Sequence, residues 1–242
     1  SADNVPSAGD GVNVVSLVVT PVNDAPVMDI SGSPVLPTRT EDQVTTTDNP
    51  GISIAAMLAT GANGNPITDV DNGAMEGIAI IGTTGMNANG WEYSLDSGAT
   101  YAPVGAASNN SARLLPDSAL LRYVPNTLNG ETATVSFRAW DRSSGVAGGL
   151  GSTLVSGGAT SFSTTVEVAS IVITPVNDSP VANNDTYTVN EDVRLTVSGQ
   201  GVLQNDLDVD VPAQILRVLE VNGTSLTGNP LALSTTTGLG AA

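Results

Sequence analysis

Thr20-Pro-Val-Asn-Asp-Ala-Pro26 recurs with one substitution as Thr174-Pro-Val-Asn-Asp-Ser-Pro180. Each copy follows an alternating apolar run: Val12-Asn-Val-Val-Ser-Leu-Val-Val-Thr20 first, and Val166-Glu-Val-Ala-Ser-Ile-Val-Ile-Thr174 second. Alternation of this kind reads as a strand with one face buried. Pro21 and Pro175 offer no backbone N–H to a ladder, so each strand stops there. Pro26 and Pro180 hold the residue before them extended, and the Asn-Asp pairs supply side-chain oxygens to a turn. The stretch therefore reads as a last strand, a stiff acidic linker and the start of another unit. The two Asn-Asp pairs begin 154 residues apart, at 23 and 177. This divides the chain into the final strand of one repeat (1–22), a complete unit with long loops (23–176) and the opening of a third (177–242).

Composition narrows the function. The 242 residues carry 24 acidic and 7 basic side chains, a formal net charge of −17, with no His and no Cys. Every basic residue is Arg. No basic footprint exists to neutralise phosphates, so nucleic acid is not an expected partner, nor is docking on anionic lipid. The lack of Cys excludes disulfides and thiolate metal sites, and the lack of Lys excludes Lys–Asn cross-links. No apolar run reaches the length of a membrane span, and no signal-peptide pattern is present. Regularly placed Asp residues fit a hard cation held by oxygen ligands, calcium above all.

Gly numbers 26, Pro 14, and aromatics make up 3% of the chain. Alternating runs broken by Gly, Asn and Asp predict an all-β fold of tandem sandwiches. Strands are expected over 27–30, 43–47, 76–81, 91–95, 101–104, 120–124, 132–140 and 161–174. Residues 52–59 have room for one or two helical turns, stopped at Gly61. The expected core is Ile78, Ile80, Trp91, Tyr93, Leu121, Tyr123, Val135, Phe137, Ala139, Val168 and Ile171, anchored by Trp91, Phe137 and Trp140. Arg138 alternates with this set and should face water. Segment 141–160 reads as a flexible, Gly-rich surface loop.

Several motifs carry possible chemistry. Ser94-Leu-Asp-Ser-Gly-Ala-Thr-Tyr101 resembles the Asp-box hairpin, in which Asp and Gly shape a turn over an aromatic residue; its role is structural. Asp69-Val-Asp71 and the denser Asp206-Leu-Asp-Val-Asp210 place carboxylates two residues apart, a spacing that lets turn oxygens converge on one cation. Glu41-Asp42 and Glu191-Asp192 each lie downstream of a linker copy, and Asp141 closes the run Ser136-Phe-Arg-Ala-Trp-Asp141.

The recurring order of linker, Glu-Asp pair, Asp-x-Asp and strand-ending Asp resembles the bacterial cadherin-like repeat. Val189-Asn-Glu-Asp192 followed by Gly201-Val-Leu-Gln-Asn-Asp-Leu-Asp-Val-Asp210 is similar to that family's opening pattern. Leu121-Arg-Tyr-Val-Pro-Asn126 through Asn129-Gly130 to Phe137-Arg-Ala-Trp-Asp141 is similar to its closing pattern. The resemblance implies an Ig-like sandwich with calcium at the junctions between repeats. It implies one junction built from Asn23, Asp24, Asp69, Asp71 and Asp141. It implies a second built from Glu41, Asn177, Asp178, Asp206, Asp208 and Asp210; Glu191, downstream of the second linker copy, is a further candidate ligand. Two departures stand out: no Asp-Arg-Glu lies between Tyr123 and Phe137, and the linker-to-Asp-x-Asp spacing is 45 residues from Asp24 to Asp69 but 28 from Asp178 to Asp206.

No enzyme is expected. Without His, Cys or Lys the usual general bases and nucleophiles are missing. A glycosidase-type carboxylate pair stays open in principle, but the acids sit at linker and turn positions that a cation explains. The resemblance implies a structural extender of a secreted or cell-surface bacterial adhesin-type protein, extracellular and calcium-stiffened. Its partners would be neighbouring repeats of the same or identical chains. The alternatives are a module that binds a cell-surface glycan or protein, and a head-to-tail fibre completed by strand addition.

Overall fold

A computed structural model describes residues 18–221 and 224–225, apart from 62, 88 and 198. The chain is all-β. In chain order the strands are β1 (Val27–Met28), β2 (Arg39–Thr40), β3 (Ile52–Ser53), β4 (Ile67–Thr68), β5 (Gly77–Thr83), β6 (Trp91–Ser94) and β7 (Ala102–Pro103). There follow β8 (Ala112–Pro116), β9 (Leu120–Tyr123), β10 (Glu131–Ala139), β11 (Leu150–Gly151), β12 (Glu167–Thr174), β13 (Glu220–Val221) and β14 (Thr224–Ser225). One short helix, α1 (Ile54–Leu58), starts where the Ser53 hydroxyl accepts the Ala56 N–H at 3.1 Å. It buries Ile54, Met57 and Leu58, the positions that share one helical face.

Two sheets pool their inner faces in one core. The larger runs β11-β8-β5-β10-β12-β2, the smaller β3-β9-β6-β7. From the larger sheet come Ile78, Ile80, Leu115, Ala133, Val135, Phe137, Ala139, Ala169, Ile171 and Ile173; from the smaller come Trp91, Leu121 and Tyr123. The helix closes one side. Alternation is clean in β10, where Ala133, Val135, Phe137 and Ala139 are fully buried and the residues between them are not. Full burial of a side chain such as Val135 or Phe137 is worth about 1.5–3 kcal/mol.

Four expectations need correction. Val168 lies on the solvent side of β12; the inward set is Glu167, Ala169, Ile171 and Ile173. Tyr93 is only half-buried, its hydroxyl donating to the Gly148 carbonyl at 3.3 Å. Residues 43–47 form turns, because Gln43 and Thr45 serve the backbone of Thr40 and Asp48. Arg138 does not simply face water: its guanidinium donates to the Ser163 and Thr164 carbonyls, and its Nε is buried.

Segment 141–160 is likewise no loose loop. It crosses the outer face of the larger sheet and covers a second cluster of Ala79, Ala112, Leu114, Trp140 and Phe162. Trp140 Nε1 donates to the Ser144 carbonyl at 2.8 Å, Gly148 and Leu114 are joined backbone to backbone at 2.7 Å, and β11 pairs with β8. Glycine here allows close packing: a Cβ on Gly145 would come within 2.4 Å of Leu114 Cδ1, and its φ is +81°.

Residues after Pro175 form a sparser unit. Its described pairing is the Val181–Leu207 bridge and the β13–β14 hairpin. Apolar side chains there, Val181, Val193, Leu207 and Ile215 among them, are exposed. Of the expected strand over 12–20, residues 12–17 lie outside the described residues, and Val18 and Val19 are exposed and unpaired in any ladder.

Candidate metal centre

Strand ends bring the acids together. The end of β12 runs parallel to β2, with Thr174 opposite Thr40. The chain leaving β2 is Glu41 and the chain leaving β12 is the second linker, so the two start side by side. Glu41 N donates to the Thr174 carbonyl at 3.2 Å, and Val176 N donates to Glu41 Oε1 at 2.7 Å. On the far side, Val181 and Leu207 exchange both backbone hydrogen bonds, at 2.7 and 3.0 Å. That bridge sets Asp208 and Asp210 beside Asp178.

The outcome is a three-carboxylate cluster. One oxygen each from Glu41, Asp178 and Asp210 lies within 4.8 Å of the other two. Glu41 is fully buried and Asp210 is 9% exposed. Glu41 Oε2 and Asp178 Oδ2 are buried with no hydrogen-bond partner. Each such orphan oxygen costs about 1–3 kcal/mol, more for a charged group, and three like charges at this range repel. Hard oxygens with free lone pairs, converging from three chain segments, are the donor set a hard divalent cation takes. Among the described residues no other group of three such side chains converges this closely.

Backbone donors hold the cluster in shape. Asp178 N donates to Asp210 Oδ1 and Oδ2 at 3.4 and 3.2 Å, and Asp210 N donates to Asp208 Oδ1 at 3.0 Å. Asn177 Nδ2 donates to the Asp178 carbonyl at 2.8 Å. Asp206 stands apart, its Oδ1 accepting the Asn183 N–H at 2.8 Å. Glu191 is exposed in a turn and is not part of the triad.

The first junction repeats the scheme in part. Asp24 N donates to Asp71 Oδ2 at 2.8 Å, Asp71 N donates to Asp69 Oδ1 at 2.8 Å, and Asn23 Nδ2 donates to the Asp24 carbonyl at 3.2 Å. Asn23 also donates to Asp141 Oδ2 at 2.9 Å. All five expected residues are thus linked, but the close triad is found at the second junction. In both places the Asp-x-Asp follows directly on a short antiparallel contact with the linker: β4 with β1, and Leu207 with Val181. The true counterpart of Asp69 is therefore Asp208, two residues later than the sequence spacing suggests.

Two participants were not foreseen from sequence. Asn129 Nδ2 donates to the Val209 carbonyl at 3.0 Å, tying the β9–β10 turn to the unit that follows. Gln214 Nε2 donates both to Asn177 Oδ1 at 2.6 Å and to Asp210 Oδ2 at 2.8 Å. Lone amides carry no sequence signal of this kind; only the fold brings them here.

The Asp-box stretch is a hairpin, as expected. Asp96 accepts from the Thr100 hydroxyl at 2.6 Å, the Thr100 N–H at 2.9 Å and the Ser94 hydroxyl at 2.7 Å. These bonds, the Thr100 hydroxyl foremost, pull its pKa down to about 2. Tyr101 lies beneath the Arg122 guanidinium, 3.8 Å from the ring centroid, and Arg122 pairs with Glu92 at 2.6 Å. Ser94, Asp96 and Thr100 hold the turn, while Tyr101 and Arg122 also donate to the Pro50 and Asn49 carbonyls.

No protein-family profile, no curated protein and no solved structure matches this chain. Among the described residues no helix is long and apolar enough to cross a membrane.

Proposed function

We propose that this protein is an extender of tandem, cadherin-like β-sandwich units whose junction is stiffened by calcium. The observation that carries the reading is Glu41 Oε2. It is an unpartnered oxygen of a fully buried carboxylate, and Glu41 brings an oxygen within 4.8 Å of oxygens of Asp178 in the linker and Asp210 beyond it. Three segments that belong to different parts of the chain meet here. A cation bound to all three makes the relative placement of the units part of its coordination. Calcium suits the site because it accepts irregular sets of oxygen donors, whereas magnesium demands near-octahedral geometry. Glu41, Asp178 and Asp210 would be direct ligands; Asp208, Asn177 and Asn129 keep them in position. The acidic, Cys-free chain fits a secreted or cell-surface setting, where free calcium is high and modules that bind at about 10⁻⁴–10⁻³ M are loaded. The function is then mechanical rather than enzymatic: the units form a spacer.

Thermal unfolding and small-angle scattering, each with calcium and after chelation, test this. Calcium at about a hundred times its dissociation constant adds roughly 2.7 kcal/mol to the folded state, and the particle should lengthen or stiffen. An unfolding curve and a scattering profile that ignore calcium would remove the reading.

A further inference from the structure

The neutral side chain of Gln214 reaches two members of the junction at once. Its amide nitrogen spends one hydrogen on Asn177 Oδ1 of the linker and the other on Asp210 Oδ2 of the following unit. Asn177 is held in the matching orientation because its own Nδ2 donates to the Asp178 carbonyl. An amide group has two donors on one nitrogen and no net charge. It can therefore cross-link two oxygens that a divalent cation would also seek, while leaving Glu41 Oε2 and Asp178 Oδ2 without a partner. We propose that Gln214 is a built-in latch for the cation-free junction, and that a divalent cation displaces it by taking Asp210 Oδ2. The inference rests on the cation reading above and adds to it a regulator of the same site.

The latch has two consequences of opposite sign. Without cation it keeps linker and second unit joined, so losing it should loosen the junction. With cation its bond to Asp210 Oδ2 must be given up, so losing it should tighten binding. A hydrogen bond of net worth about 1 kcal/mol corresponds to a tightening of about five-fold. A residue with a merely structural role would move both quantities in the same direction.

The test uses the whole chain, wild type and Gln214→Leu, with calcium chloride as the probe. Calorimetric titration gives affinity, and amide ¹⁵N relaxation in chelator gives the coupling of the two units. The expected result is more independent tumbling of residues 177–221 in chelator, together with calcium binding about five-fold tighter. Gln214→Glu, which replaces the donor by an acceptor facing Asp210, should loosen the chelated junction further and regain wild-type order in calcium. Weaker calcium binding by Gln214→Leu would make Gln214 a ligand and overturn the latch, as would unchanged relaxation in chelator. If wild type binds no calcium, the cation reading fails by itself. Loosening of the chelated junction on Gln214→Leu would then leave only the cross-link, and the regulatory inference would fall with the reading.

Discussion

Asp178 donates its backbone N–H to the carboxylate of Asp210, as Asp24 does to Asp71 in the preceding junction. The chain thus builds the same hydrogen-bonded hook twice, with different numbers of residues between its halves. A linker Asp presents its N–H, and an Asp-x-Asp that has just left a short strand contact accepts it. The inner Asp is oriented by its own N–H bond to the outer one. What distinguishes the second hook is Glu41, delivered by the parallel pairing of β2 with β12. At the first hook the third carboxylate, buried Asp141, is taken up by Asn23 Nδ2 and the Ser143 N–H. At the second, fully buried Glu41 comes within 4.8 Å of the other two and keeps one oxygen without a partner.

Glu41→Gln isolates this term. Glutamine keeps the volume and can still accept the Val176 N–H, but removes the buried charge. In chelator the variant should be as stable as wild type or slightly more so, because a buried charge with an orphan oxygen is a cost. In saturating calcium it should lose most of the stabilisation that wild type gains, roughly 2.7 kcal/mol at a hundred times the dissociation constant. Differential scanning calorimetry in both buffers checks it. A variant that gains as much from calcium as wild type would place the cation elsewhere.

Phe162→Ala addresses the segment that crosses the outer sheet face. Phe162 and Trp140 form a backbone bridge and share a small apolar cluster with Leu114. Truncation of a buried Phe costs about 3–5 kcal/mol, and the lower end applies to a cluster this small. Because the main core is on the other face, the loss should appear as local opening. Limited proteolysis should cut within 141–160 well below the melting temperature of the variant, while wild type resists until it unfolds globally.

Segment 141–160 has the composition of a flexible surface loop but packs against the sheet. Its glycines suggest flexibility, yet several of them are there because side chains would collide with Leu114 or Leu95. The same covering explains the strand the sequence reading omitted. In β8, Leu114 faces the outer cluster and Leu115 the main core, so adjacent residues are both buried and period-two alternation disappears. By contrast β10 has one covered face over most of its length, and its alternation was legible outright. The Asp and Asn positions of both linkers were legible because they recur. The three members of the close triad were named by the resemblance within a larger second set, but nothing in the spacing of Glu41, Asp178 and Asp210 by itself reveals that β2 and β12 run parallel and which of the set converge. The Val168 error has a similar root. Val166, Val168 and Val172 are as apolar as Ile171 and Ile173, and only the presence of Glu167 and Ala169 on the inner face fixes the phase.

Asp96 gives a pH-dependent signature that needs no cation. Its folded pKa is pulled from an ordinary 3.8 to about 2 by Thr100 and Ser94. A depressed pKa means that folding binds the ionised form. The contribution is fully present above the unfolded value near 4 and is lost as pH falls towards about 2. Asp96→Asn should therefore flatten the acid limb of stability between about pH 4 and pH 2, which thermal unfolding across that range will show. Carboxyl ¹³C shifts should report the Asp96 midpoint directly; a midpoint near 4 would mean that the hairpin bonds do not favour the carboxylate.

Gly130 tests the mechanical link between unit and linker. A Cβ there would stand 2.5 Å from Pro175 Cδ and 2.8 Å from the Ile173 carbonyl, contacts that real side chains do not make. Its neighbour Asn129 reaches across to the Val209 carbonyl. Gly130→Ala must therefore push the start of the linker away from the β9–β10 turn, and with it Val176, which donates to Glu41. Pro175 belongs to the linker and Ile173 to the end of β12, so the displacement falls on that strand end and the linker and leaves the buried core of the main unit in place. The expected outcome is a main-unit melting temperature within a few degrees of wild type, with calcium affinity reduced about ten-fold or more, corresponding to about 1.4 kcal/mol of lost convergence. Calorimetric titration reads the affinity. Undiminished binding would show that linker and Glu41 need not be held in register, and the cation could then not act as a strut between the units.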